Sequence, residues 1–186
     1  MATSTEARTV SASASASAKS ASLVDIKSLV LLAILLAAGF ILNMTLGNAL
    51  GIVGIKPQFI VAAYALTIIL TRANLLQAAI YAIVSAAVIQ LTTSIPGLNF
   101  VTELVAALLM SALVGANVGG GKANPLIAAF LTTLVSGALF AVLGTVLMGA
   151  ELATAVVKVP IVLGTAVFNA IVVQALYFPL KKVLGN

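Results

Sequence analysis

The sequence predicts an all-α integral membrane protein, a six-transmembrane-helix bundle with both termini in the cytoplasm. Three observations lead there. Of 186 residues, 62% are hydrophobic and only 7% are charged, against about a quarter charged in an ordinary soluble domain. The apolar residues fall into six segments separated by short polar or glycine- and proline-bearing stretches. The basic residues fall mostly on one side of the membrane that those segments imply.

The same inventory excludes much chemistry. Without cysteine there is no disulfide, thiolate nucleophile or iron–sulfur cluster, and without histidine there is no triad base and no ordinary zinc site. The acids are Glu6, Asp25, Glu103 and Glu151, none of them paired at catalytic spacing. No enzymatic activity and no cofactor are expected. The net charge of +5 reads as membrane orientation rather than nucleic-acid binding, because the basic residues punctuate apolar runs. Six spans of about 20 residues use about 120, which leaves no room for a soluble ATP-hydrolysing domain.

Residues 1–27 are expected to be a disordered cytoplasmic tail, since the Ala/Ser/Thr-rich run that includes Ser11 to Ala18 cannot bury enough apolar area to order itself. Residues 28–186 form the membrane domain. The first segment runs from Ser28 to Leu46, with Asp25 suited to its N-terminus. The second opens on Pro57, a favoured first-turn residue, and ends near Leu70. At about 1.5 Å per residue it reaches only about 21 Å, short of a hydrocarbon core of about 30 Å. Either the preceding loop, Gly47 to Lys56, folds into the bundle mouth to supply the missing depth, or the short helix tilts or meets a locally thinned bilayer. The third segment runs from Ala73 to Leu91. The fourth runs from Asn99 to Val118 and stops at Gly119-Gly120-Gly121. The fifth runs from Pro125 to Met148. The sixth runs from Pro160 to Phe178, with Pro179 expected to end it.

With the N-terminus inside and six crossings, Arg8, Lys19, Lys27, Arg72, Lys122, Lys181 and Lys182 lie in the cytoplasm, and only Lys56 and Lys158 lie outside. An odd number of crossings would weaken that bias. Lys122 follows three glycines but lacks the rest of a phosphate-binding loop, since Ala116 and Ala123 occupy the positions that need Gly and Ser or Thr.

The outer mouth carries the candidate site. Lys56-Pro57-Gln58 opens the second span, Gln90 ends the third, and Thr92-Thr93-Ser94-Ile95-Pro96-Gly97-Leu98-Asn99 leads into the fourth. Asn99 and Glu103 share one helical face, and Glu103 is the sole carboxylate within any span. Intramembrane ionisable groups suggest function. Lys56 could hold a ligand's carboxylate while Glu103 holds its ammonium; alternatively the two close the loop as an ion pair. Lys56, Gln58, Gln90, Thr93, Asn99 and Glu103 are therefore candidate polar contacts, and Phe59 and Tyr64 candidate flat apolar walls. Tyr81 and Phe100 are further aromatics of the same region. Asn43 and Asn169 either line a cavity or bond between helices. Lys158 and Glu151 read as solvated outside charges.

Ala33 and Ala37, four apart on the first span, present the small-x-x-x-small pattern that lets a second helix approach closely, and Ala166 and Ala170 repeat it on the last. Each pair can serve a partner or pack within the bundle.

Together these residues resemble the substrate-binding S components of energy-coupling factor transporters, over about Ser28 to Phe178. The resemblance rests on small size, six spans, both ends inside and Ala33-x-x-x-Ala37. Within that family Gly54-Ile55-Lys56-Pro57 and Thr92-Thr93-Ser94-Ile95-Pro96-Gly97 are similar to the tryptophan-type branch, although Gln58 stands where an acid is usual. The resemblance implies capture of a small metabolite from outside, such as tryptophan, another amino acid or a vitamin. It also implies three partner chains: a transmembrane coupling subunit, which Ala33 and Ala37 would meet, and two cytoplasmic ATPase subunits. A stand-alone secondary transporter and a structural subunit of a membrane complex are the other classes this composition allows.

Overall fold

The computed structural model describes residues 25–51 and 56–185. The tail expected over residues 1–27 falls almost wholly outside the described residues, as do Gly54 and Ile55. Among the described residues every regular element is helical. We number them α1 (Ile26–Gly51), α2 (Phe59–Thr71), α3 (Leu75–Ile89), α4 (Leu98–Gly115), α5 (Asn124–Leu147), α6 (Ala153–Val157) and α7 (Val159–Val183). Four of these, α1, α4, α5 and α7, are long and apolar enough to cross a membrane, while α2 and α3 are apolar but shorter. The protein is a membrane-embedded helical bundle. Its outward surface is correspondingly apolar, with Ile34, Val105, Ile171 and Leu176 among the exposed large side chains.

The short helix α2 is the axis of the bundle. All residues from Phe59 to Leu70 are buried, and α2 packs against α1, α3, α4, α5 and α7. Around it α3, α4, α5 and α7 pack in that order, each against the next, and α1 lies against α2 and α3. A helix apolar on every side belongs in such a position. The close α1–α2 approach needs Gly39, where an added Cβ would lie 2.9 Å from the Phe59 carbonyl oxygen.

Several boundaries differ from the sequence reading. The first helix does not end at Leu46 but runs to Gly51, passing through a π-helical stretch, Asn43–Gly47. The wider π turn misaligns the carbonyl ladder, and local side chains take up the slack: Thr45 Oγ1–H donates to the Ile41 carbonyl at 2.8 Å and Asn48 Nδ2–H to the Met44 carbonyl at 2.8 Å. So the expected loop is helical as far as Gly51, and the described residues before α2, Lys56, Pro57 and Gln58, have no regular structure. Pro179 does not end the last helix, which continues to Val183. The carbonyl that Pro179 deprives of a partner belongs to Ala175, an exposed residue near the helix end, where the loss is tolerable. Beyond it Lys181 Nζ lies 5.7 Å from the Tyr177 ring centre. A short helix, α6, lies between α5 and α7 where a plain loop was expected.

The α2–α3 and α4–α5 turns lie at one end of the bundle. Arg72 takes a left-handed conformation (φ 52°) to end α2, and Asn74 caps α3 in a reciprocal pair with Gln77. Ser111 on α4 donates to the Ala73 carbonyl at 2.8 Å. The glycine run Gly119–Gly121 has positive φ at all three positions, and Asn124 donates back to the Leu113 and Val118 carbonyls, satisfying the end of α4. Gln174 on α7 donates to the Lys122 carbonyl at 2.9 Å. The α1–α2, α3–α4 and α5–α7 connections gather at the opposite end.

Candidate substrate-binding site

At that second end the bundle opens into a cavity of about 800 Å³. Its walls come from the π-helical end of α1 (Asn43, Met44, Gly47), the Lys56–Gln58 strap, the Thr92–Ile95 turn, and the adjoining ends of α4, α5 and α7. A smaller hollow of about 590 Å³ at the opposite end, beside Arg72 and Ser111, has mainly apolar walls.

The strap is non-helical backbone leading into the axial helix, so its polar groups need partners outside any helix of its own. Three side chains supply them. Thr165 Oγ1–H on α7 donates to the Lys56 carbonyl at 3.0 Å. Asn169, one turn further, accepts from the Gln58 N–H at 3.2 Å through Oδ1 and donates to the Gln58 carbonyl at 2.9 Å through Nδ2. Asn43 on α1 accepts from the Phe59 N–H at 3.1 Å. Both asparagines therefore bond between elements, and Asn43 also lines the cavity.

Glu103 lies at the inner end of the cavity, only 3% exposed. Tyr64 Oη–H donates to its Oε2 at 2.9 Å. Ser136 Oγ–H donates to Oε1 at 2.8 Å, and Thr102 Oγ1 lies 3.2 Å from the same oxygen. Among the described residues no lysine or arginine pairs with it, so the alternative of a Lys56–Glu103 ion pair is not formed. A buried carboxyl group held by hydroxyls, with one side facing a cavity, can accept a hydrogen bond from a cation or a protonated amine placed there.

The structure brings together Lys56, Gln58, Thr93, Asn99 and Glu103 on the cavity wall. Thr93 Oγ1–H donates to Asn99 Oδ1 at 2.6 Å, tying the turn to α4. It places three of the sequence candidates elsewhere. Phe59 is buried edge-on against Phe168, with ring centres 5.8 Å apart, rather than facing the cavity as a flat wall. Tyr64 is fully buried behind Glu103 and acts through its hydroxyl, not its face. Gln90 accepts from the Gly97 N–H at 2.9 Å and braces the α3–α4 turn from outside the cavity lining.

Sequence reasoning missed several lining residues. Thr133, Ser136 and Phe140 line the α5 wall, and Lys158 stands at the start of α7. Lys158 was read as a solvated outside charge; it is exposed, and its Nζ also donates to Thr145 Oγ1 at 3.1 Å. The signal was present as a helical stripe: Lys158, Val162, Thr165 and Asn169 recur at the spacing of one helix face.

No protein-family model, curated protein or solved structure matches the chain.

Proposed function

We propose that the chain is the substrate-binding membrane subunit of an ATP-driven importer of the energy-coupling factor kind, crossing the plasma membrane six times with both termini in the cytoplasm. It captures a small metabolite, such as an amino acid or a vitamin, from outside. The observation that carries this reading is the convergence of Lys56, Gln58, Thr93, Asn99 and Glu103 on one cavity, at the end of the bundle away from Arg72, Lys122 and the last-turn lysines of α7. The end with fewer basic residues is the outer one.

In this reading the ligand's protonated amine seats against Glu103 and its anionic end faces Lys56, while Asn99, Thr93 and Gln58 fix its orientation. Phe140 replaces Phe59 and Tyr64 as the aromatic available to a flat ligand. The chain performs no covalent chemistry. A transmembrane coupling subunit meets Ala33 and Ala37, which face outward from α1, and two cytoplasmic ATPase subunits drive release inward.

Mass spectrometry of small molecules that co-purify with the full chain tests this. The expected result is one amine-bearing metabolite, retained by the wild type and lost from Glu103→Gln. The substitution puts an amide N–H₂ among three hydroxyl donors and removes the charge, so the affinity should fall at least about tenfold, the factor set by one lost charge-assisted bond. Absence of any bound metabolite, with equal results for both proteins, overturns the reading. A second reading, a self-sufficient ion-coupled carrier, draws on the same buried Glu103. Uptake into liposomes that contain this chain and no ATPase would favour it.

A further inference from the structure

Lys158 is an exposed cavity-lining lysine whose ammonium has a side-chain partner. It stands at the N-cap position of α7, with no side-chain capping bond, and its ammonium donates to Thr145 on α5, 13 residues earlier in the chain. Thr145 is 1% exposed and lies between Ala141 and Met148, both of which line the cavity. Its own hydroxyl hydrogen is already committed to the Ala141 carbonyl at 2.7 Å. Thr145 Oγ1 can therefore only accept from Lys158, which leaves the other ammonium hydrogens free to turn toward the cavity. A lysine meant only as a solvated anchor needs no such seat.

Lys158 and Lys56 reach the cavity from different elements, α7 and the strap that precedes α2. The strap's backbone is itself tied to α7 through Thr165 and Asn169, so the chain segments that carry the two lysines are held together. The cavity lining thus includes two exposed lysines and one buried carboxyl group. The positive end of the 25-residue helix α7 adds to the field at the mouth. A carboxylate has two oxygens, and one oxygen can meet each lysine. Seated so, it neutralises the mouth while the ligand's amine neutralises Glu103.

Resting on the function proposed above, we infer that Lys158 is a specificity-determining residue of the site. With Lys56 it grips the carboxylate of a zwitterionic α-amino acid, whose ammonium lies toward Glu103. A ligand with an amine alone, or a neutral vitamin ring, leaves the two lysines unanswered and binds more weakly.

Calorimetric titration of the full chain in lipid nanodiscs tests the assignment. The probes are the twenty L-amino acids and, for each that binds, the amine lacking its carboxylate (tryptamine for L-tryptophan). Lys158→Gln should weaken the amino acid about tenfold, as expected for loss of one charge-assisted bond, and the matching amine by less than about twofold. Lys158→Arg keeps the charge and should recover most of the affinity. Equal weakening of amino acid and amine, or no weakening of either, makes Lys158 a structural anchor and overturns the inference. Wild-type protein that binds none of the twenty, while another metabolite co-purifies, also overturns it but leaves the capture function standing. If nothing binds and nothing co-purifies, the capture function itself fails.

Discussion

Asn169 holds both main-chain groups of Gln58 with one side-chain amide, in a bundle where water could not do so without reaching the axis. The residue is fully buried and also lies 3.4 Å from Thr133 Oγ1. Asn169→Ala leaves a donor and an acceptor unmatched, at a cost of about 1–3 kcal/mol per unsatisfied buried group. Because the strap borders the cavity, water entering there offsets part of it, so a loss near the low end of that range is expected in thermal unfolding of the nanodisc-embedded protein. Ligand affinity should fall as well, since Lys56 and Gln58 lose their frame. Undiminished stability would show that the two hydrogen bonds are replaced without cost. At this scale the sequence was legible where a polar residue breaks an apolar span: Asn99, Glu103, Asn43 and Asn169 all have specific partners or cavity positions. It was not legible for Thr133 and Ser136, because serine and threonine are ordinary in spanning helices and can bond to their own backbone. Nor could spacing tell that Tyr64 offers its hydroxyl to a carboxylate 39 residues away.

Helix existence was legible from the apolar runs, and most ends fell within a few residues of a proline or glycine. The exceptions share a cause. Gly47 and Pro179 are helix breakers in water, but inside a bundle the backbone has no better partner than its own helix, so α1 and α7 run on past them. Which face of α1 turns inward was not legible, because α1 is apolar nearly all round, and the alanine spacing alone does not assign a face on either terminal helix. The two small-residue pairs make the point. Ala33 and Ala37 are exposed, whereas Ala166 and Ala170 are 0% and 3% exposed. The identical spacing therefore has opposite uses: packing within the bundle for α7, and an outward face, free to meet lipid or a partner, for α1. Replacing Ala166 and Ala170 by Leu should destabilise the fold by about 1–3 kcal/mol for each overpacked site. Replacing Ala33 and Ala37 by Leu should leave thermal unfolding and ligand binding unchanged. In the complete importer, however, it should abolish ATP-driven uptake. Intact uptake in that double variant would remove α1 as the coupling face.

For the whole molecule, the decisive feature is that alternate connections share an end. Lys56, the Thr92–Ile95 turn and Lys158 meet around one cavity, while Arg72, the glycine turn before Lys122 and the lysines of α7 belong to the other end. This pairing of connections follows from the order of the apolar segments, and the distribution of lysine and arginine is the basis of the orientation proposed for it. What the sequence could not convey is that α2, shorter than the four helices long enough to span, becomes the axis, because its place depends on five neighbours rather than on its own length. The absence of native cysteine makes the orientation directly measurable. Single cysteines at Ser94, Thr154, Asn74 and Lys122 all occupy exposed positions, so none should disturb the core. In intact cells a membrane-impermeant maleimide should label Ser94→Cys and Thr154→Cys, and should reach Asn74→Cys and Lys122→Cys only after the membrane is opened. The reverse pattern would turn the cavity toward the cytoplasm, where it could not capture a metabolite from outside. Labelling of Ser94→Cys and Thr154→Cys from opposite sides would break the hairpin order on which the shared cavity depends.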